Sequence, residues 1–473
     1  MKTGTRLAAL ALLATLGSAT QASAAPVTIS PLAGTPTALP GTQISFLGAS
    51  AKALGAVSVV GSISGRHSGR LRSYSSATGA SFLPSRPFTP GERVSVRAVW
   101  AVSKQSRRTL SDSFTIAQPN EVSKSELSDT PGTAADVQSF QSQPALHPPT
   151  VTIGHAAGAG VAPGYVFATP LLGPGQHGPM IFDNAGDVVW FHPLQGDEAA
   201  ADFQTQNFHG KNMLTWWQGH TLALGYGLGE DLIVNANYRT VAVVKAGNGL
   251  QADEHEFTVT PEGSAYITAY SPVQAKSTST GSPAGGDSAL DGVVQRIDVH
   301  TGLVMWEWHS LGGATFAEPH AQPPADLAVA EAPSTQSLGG GGSITGGGDS
   351  SGFAEVDGHG ASVFSGALPA GERSYRVYRE PWAGQPSDPP AIGARTSGAS
   401  TAVYASWNGA TTVTAWQLLT GSSASHMTAV STTPKTGFET TIPAPSAAYV
   451  QVRALSASGA ALATSKAVRP ATG

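Results

Sequence analysis

Apolar and polar residues alternate with a period of two through most of this chain, the signature of half-buried strands. In residues 27–117 the pattern is clearest at Ile44-Ser45-Phe46-Leu47, Val57-Ser58-Val59-Val60, Val94-Ser95-Val96-Arg97-Ala98-Val99-Trp100 and Phe114-Thr115-Ile116. Short strands at that spacing predict a small sandwich of immunoglobulin-like type. From Gln118 to about Pro149 the alternation stops, and Ser, Gln, Pro and Asp dominate up to His147-Pro148-Pro149. A linker, or a strap lying across a neighbour, is expected there.

Residues 150–370 repeat a hairpin unit, most plainly at 179–190 around Asp183-Asn184-Ala185-Gly186-Asp187 and again at 296–306 around Asp298-Val299-His300-Thr301-Gly302. Fainter copies lie at 257–267 and 354–363. In each, an apolar strand meets a turn bearing Asp or Thr, then a glycine suited to positive φ, then a second apolar strand. Hairpins recurring this way read as propeller blades, because one blade alone cannot bury both faces. From about residue 385 to the end, Val403-Tyr404-Ala405-Ser406-Trp407, Val413-Thr414-Ala415-Trp416-Gln417-Leu418 and Tyr449-Val450-Gln451-Val452-Arg453-Ala454 predict a fibronectin type III-like sandwich. The expected class is all-β: a propeller flanked by two sandwiches.

Composition sharpens this reading. The 473 residues allow several domains, and only 12% are charged. With 26 Lys and Arg against 31 Asp and Glu, the net charge of −5 argues against a nucleic-acid partner and against a polybasic membrane patch. The chain has no cysteine, which removes disulfides, thiolate nucleophiles and Cys-ligated zinc together. Lys2 and Arg6 precede an apolar run from Leu7 to Leu16, and Ala22-Ser23-Ala24 offers a small-residue cleavage site. Residues 1–24 therefore read as a secretory signal peptide, with no membrane span after it and an extracellular destination.

Several residues invite chemical readings. His177, His192, His209 and His220 fall within one stretch, but their spacing matches no compact ligand motif, and no metal is expected. Arg66, His67 and Arg70 read as a solvated basic face or a docking point for the linker. The glycine run Gly339–Gly341, continued by Gly342, lacks the Lys and Ser or Thr of a phosphate loop. Gly348-Asp349-Ser350-Ser351-Gly352 lacks the strand-turn-helix context of a nucleophile elbow. His309 follows Trp306 and Trp308, which share a face at period two, and reads as a polar strand-edge residue after core tryptophans.

The order-preserving strings Ala201-Asp202-Phe203-Gln204-Thr205-Gln206, Leu214-Thr215-Trp216-Trp217-Gln218-Gly219, Ala246-Gly247-Asn248-Gly249, His255-Glu256-Phe257, Val294-Gln295-Arg296-Ile297-Asp298, Trp306-Glu307-Trp308-His309-Ser310 and Tyr404-Ala405-Ser406-Trp407-Asn408-Gly409-Ala410-Thr411 resemble the secreted arylsulfotransferase family. Residues 62–71 look like that family's N-terminal module. The resemblance implies a six-bladed propeller and sulfuryl transfer from a phenolic sulfate to a phenol through a sulfohistidine, with no nucleotide cofactor. His255, within Asp253-Glu254-His255-Glu256-Phe257, is the position matching a family active-site histidine, and its acidic neighbours would orient it. Trp216, Trp217 and Gln218 are candidates for binding the phenolic ring.

After Ser310 the family's strands bearing the central His and Arg have no counterpart here. A stretch rich in Ala, Pro and Gly takes their place until the resemblance resumes near Thr335. On the order of three blades, at roughly 40–50 residues each, are expected to be missing. The propeller would then be incomplete, its open edges inviting self-association, and turnover would be impaired. A catalytically inactive secreted scaffold or ligand-binding protein is the competing expectation.

Overall fold

A computed structural model describes residues 27–121, 124–125, 127–275, 287–312, 334–348, 350–398 and 400–472. The expected signal peptide and most of the Ala/Pro/Gly-rich stretch after Ser310 lie outside the described residues. Among those described there is no α-helix. Regular structure consists of strands in eight sheets, with three short 3₁₀ turns.

Residues 27–117 form two facing four-stranded sheets. One orders Thr28–Ser30, Ile44–Leu47, Gly79–Pro84 and Gly69–Ser73; the other orders Gly65–His67, Leu54–Gly61, Arg93–Ala101 and Arg107–Thr115. Along Arg93–Ala101 the side chains of Val94, Val96, Ala98 and Trp100 point inward while Arg93, Ser95 and Arg97 point out, as the two-residue period requires. Phe46, Val59 and Phe114 fill the space between the sheets.

The central region holds four antiparallel sheets. Ala199–Phe208, Lys211–Leu222, Tyr226–Val234 and Thr240–Val244 form a meander, as do Phe257–Val259, Ser264–Ala275, Asp287–Asp298 and Leu303–His309. The other two are completed by remote strands. Tyr378–Glu380 pairs with Tyr165–Ala168, and Thr152–His155 pairs with Ser362–Ala367. The central unit therefore runs ten residues beyond the limit expected at 370.

The repeated turns follow from side-chain chemistry. Asp183 Oδ1 accepts the backbone N–H groups of Ala185 and Asp187, Asp298 Oδ1 those of His300 and Thr301, and Asp357 Oδ1 those of His359 and Ala361. Each aspartate thus satisfies the donors that a tight turn leaves unpaired. Gly186 has φ +84°, a value at which a Cβ would be strained and would also approach the Val151 carbonyl to 2.8 Å.

Within residues 127–149 the chain packs against the central and C-terminal sheets. Phe140 and Leu146 are buried in the core beside Phe182 and Phe353, with the Phe140 ring 4.4 Å from Phe438. Ser142 donates to Glu439 through both its backbone N–H and its hydroxyl. The C-terminal residues form two further sheets around Val403, Trp416, Leu418, Ile442 and Val452. Their unit is clamped to the centre by Asn408, whose amide accepts from Phe191 N–H at 2.9 Å and donates to Phe191 O at 2.8 Å.

The N-terminal unit docks on Leu303–His309, and here the structure corrects the reading of His309. A bulge leaves Met305 opposite no residue, since Arg296 pairs with Trp306 and Ile297 with Val304. Alternation is reset by that extra residue. Trp308 turns to solvent while Glu307 and His309 turn inward. His309 lies between Asp291 (Nδ1 to Oδ2, 2.7 Å) and Glu307 (Nε2 to Oε1, 3.0 Å), and Thr37 of the N-terminal unit donates to Asp291 at 2.6 Å. Ser30 accepts from Glu307 N–H and donates to Glu307 O.

Both imidazole nitrogens face carboxylates, so both act as donors and the ring is held as a cation. Burial opposes the charge, but the bonds to Asp291 and Glu307 prevail and raise its pKa to about 9. The folded value lies above the ordinary 6.5, so this stabilisation is complete below about pH 6.5 and is lost as the pH rises through about 9. Its size is roughly 3 kcal/mol. Thermal melts from pH 6.5 to 10 should show falling stability in the native chain and a flatter profile in His309→Gln.

Candidate functional site

A tight turn at Asp253–His255 precedes the short strand Phe257–Val259, and the Asp253 carboxylate organises it. Oδ1 accepts Gly227 N–H at 2.8 Å. Oδ2 accepts His255 Nδ1 at 2.7 Å, His255 N–H at 3.1 Å and the Thr268 hydroxyl at 3.2 Å. Trp217 supports the turn from behind, where its buried indole N–H donates to Ala252 O at 2.9 Å. The Asp253 bond sets the His255 tautomer: with Nδ1 protonated, the neutral ring carries its lone pair on Nε2. About a third of the His255 side chain is exposed.

Around His255 stand two tyrosines and one arginine. The imidazole meets the ring of Tyr375 at 5.5 Å and that of Tyr270 at 6.1 Å, both nearly perpendicular, and the Tyr375 hydroxyl donates to His255 O. The next residue, Arg376, reaches Asp202 (2.8 Å) and Glu256 (3.2 Å). Its Nη1 also bonds the Tyr378 hydroxyl, and that hydroxyl in turn donates to Asp202. Asp202 sits at φ +52° beside a bulge between Ala201 and Gln204, which directs its carboxylate at Arg376.

The electrostatics of this cluster are dominated by buried carboxylates. Burial raises the Asp202 pKa, with Arg376 working against that shift. Burial would lower the pKa of Arg376, but the Asp202 charge outweighs it and holds the guanidinium protonated. Asp231 is fully buried, and neither carboxylate oxygen has a hydrogen-bond partner among the described residues. Burial, then the charges of Asp202 and Asp253, raise its pKa well above the usual range, which favours its neutral form. Burial likewise raises the Tyr270 hydroxyl, with Asp253 adding to the effect.

The other expected site residues are divided. Trp216 and Trp217 are adjacent on one strand and face opposite sides. Trp217 lies behind the His255 turn, whereas Trp216 joins Trp190, Phe203 and His192 at a cavity of about 360 Å³ bounded by Tyr238 and Trp407. Gln218 accepts the Trp216 indole N–H at 3.1 Å and lines a second cavity with His220 and Lys245. His177, His192, His209 and His220 do not converge, and no group of three or more metal-ligating side chains occurs among the described residues.

Sequence reasoning passed over Asp202, Tyr270, Tyr375, Arg376 and Tyr378. A signal existed in Ser374-Tyr375-Arg376-Val377-Tyr378-Arg379, where phenols and guanidiniums cluster just past the assumed limit of the unit. Residues 204–313 match the family model described as "Arylsulfotransferase (ASST)". This segment is arylsulfotransferase-like. It carries His255 and Tyr270, while Arg376 and Tyr375 come from a strand outside the match.

No curated protein matches the chain. A crystal structure of the S-layer protein rSbsC(31-844) aligns with 91% of this chain at 10% identity and a TM-score of 0.15. A structure of domains 1–6 of the surface layer protein SbsC aligns with 92% at 9% identity and a TM-score of 0.16. The chain spans 58% of the length of each, and scores so low carry no argument about its fold.

The cluster around His255 depends on the Arg376–Asp202 pair. Arg376→Ala should lower stability in chemical denaturation by about 3–5 kcal/mol, because it leaves a buried carboxylate uncompensated. Adding Asp202→Asn should restore most of that loss.

Proposed function

We propose that this chain is an exported arylsulfotransferase-like protein that moves a sulfuryl group from a phenolic sulfate ester to a phenol, with His255 as nucleophile. The carrying observation is the Asp253–His255 pair, which orients the imidazole and fixes its tautomer, within a segment that matches the family. Nε2 attacks sulfur, the N–S bond forms, and the S–O(aryl) bond breaks as the first phenolate departs with its electron pair. An acceptor phenol oxygen then attacks the same sulfur and the N–S bond breaks. The acceptor's proton balances the one taken up by the departed phenolate. Tyr270 and Tyr375 provide ring edges against which an aryl group packs, and Trp216, Trp217 and Gln218 remain candidates for shaping its surroundings.

In this reading the four central sheets are blades of a propeller shortened by the loss of an arc after Ser310. An immunoglobulin-like module precedes them and a fibronectin type III-like module follows. The strands Thr152–His155 and Tyr378–Glu380, which join the two ends of the central region to sheets remote in sequence, support that architecture. Residues 1–24 serve as the export signal. Copies of the chain associate through the outer strand Thr240–Val244, where Val241 and Val243 are exposed on an unpaired edge.

One observation favours the second reading, an inactive scaffold or ligand-binding protein. Both terminal nitrogens of Arg376 are already committed to protein partners, and carboxylates surround it, so an incoming sulfate meets a negative field. A 4-nitrophenyl sulfate donor with phenol as acceptor separates the two. Sulfuryl transfer by the native chain that falls on the order of 10²-fold or more in His255→Ala supports the nucleophile. Equal rates in the two proteins remove His255 from the mechanism, and no transfer by the native chain leaves the scaffold.

A further inference from the structure

The N-terminal sandwich carries a charge opposite to that of the chain as a whole. Residues 27–117 contain ten Lys or Arg and two Asp or Glu, in a protein whose net charge is −5. All ten cations are exposed, eight are arginines, and none forms an ion pair with a described residue. Elsewhere Arg239, Lys245, Arg376 and Arg379 are all paired with carboxylates.

The two acids offset only a small part of this charge. Glu92 is buried and accepts bonds from Ile63 N–H, both Ser64 donors and Thr89 N–H, which overcome burial and hold its pKa at about 2. Asp112 stands opposite the inward-facing Val96, on the other side of the sheet from Arg93 and Arg97, and burial raises its pKa.

Topology places four of the ten, Arg66, Arg93, Arg97 and Arg107, on one face. The sheet containing Thr28–Ser30, Ile44–Leu47 and Gly79–Pro84 packs on the central strand Leu303–His309, so the other sheet's outer side points away from the central unit. Because Val94, Val96, Ala98 and Trp100 turn inward, Arg93 and Arg97 turn outward. Cross-strand register places Arg97 between Ser58 and Ser111, Arg66 opposite Val60, and Arg107 opposite Ala101. The result is a flat field of guanidiniums and hydroxyls. Strands lie roughly 4.8 Å apart, and successive side chains on the face lie about 6.7 Å apart.

We propose that this outer face binds a linear anionic polysaccharide. Guanidinium forks pair two-pronged with sulfate, phosphate or carboxylate groups and stay charged at every relevant pH, while the interleaved serines match sugar hydroxyls. The face suits other polyanions poorly. Every aromatic residue of the module is buried, Phe46, Tyr74, Phe82, Phe88, Trp100 and Phe114 alike, so no platform exists on which bases stack. No helix is present to enter a major groove. Val60 and Ile63 are the only large apolar side chains exposed on the described module, too few to enter a bilayer.

The test uses the full chain and measures binding to dextran sulfate, polygalacturonate, uncharged dextran, single-stranded DNA and anionic phosphatidylserine vesicles across a salt series. Binding to either anionic polysaccharide, absent with dextran and stronger than to DNA or vesicles, is the expected result. Replacing Arg66, Arg93, Arg97 and Arg107 by Ser should weaken it about tenfold or more and flatten its salt dependence. Replacing Arg395 and Lys466, exposed on the C-terminal unit, should leave it unchanged. An unaltered melting temperature shows that the four-site variant is folded. The proposal is overturned by no polysaccharide binding at low salt, by equal binding in the four-site variant, or by preference for DNA or vesicles.

Discussion

Every sheet in this protein ends in a strand with a row of unpaired backbone groups, and covering those rows organises the molecule. Two central sheets gain strands from far along the chain, Thr152–His155 and Tyr378–Glu380. A third sheet, and the far edge of the one completed by Tyr378–Glu380, are partly covered by side chains of the flanking units. Ser30 both donates to and accepts from the backbone of Glu307, and Asn408 does the same at Phe191. Each contact replaces the two bonds a neighbouring strand would have made, and so fixes how each sandwich meets the centre. Docking and edge protection are therefore the same interaction.

Burial of charge is the second constraint, and the protein meets it in three ways. His309 is clasped between two carboxylates and remains a cation. Arg379 is paired with Glu355 inside the core, its Nη1 also bonding Gly164 O and Asn184. Asp231 lacks a hydrogen-bond partner among the described residues, and its burial favours the neutral form. The His255 cluster combines these solutions, with a carboxylate that orients the imidazole, a guanidinium shared between acids, and the buried Asp231, whose pKa burial raises. That concentration of carboxylates supports the pose of His255, yet it also sets the field that an anionic substrate would meet.

Much of the local structure was legible from residue type and spacing. Alternation placed the strands around Val94 and Tyr449, and the turns at Asp183 and Asp298 formed where anticipated, with Gly186 and Gly302 at positive φ. The orientation of Trp308 and His309 was not legible. It hangs on one bulge residue, Met305, whose effect is to exchange the two faces of everything after it. Tyr375 and Arg376 were also missed, because they reach His255 from a strand about 120 positions away.

Residue type and spacing alone determined that the described residues form strands and turns, and that His255 is flanked by acids suited to orient it. Those properties arise from side-chain period, turn chemistry and immediate neighbours, which are local along the chain. Only the tertiary structure decided which remote strands cover each edge, which face of Leu303–His309 is buried, and which guanidinium and phenols surround the imidazole. Pairing register and long-range contact set those outcomes, and neither is encoded in the spacing of residues within a single strand.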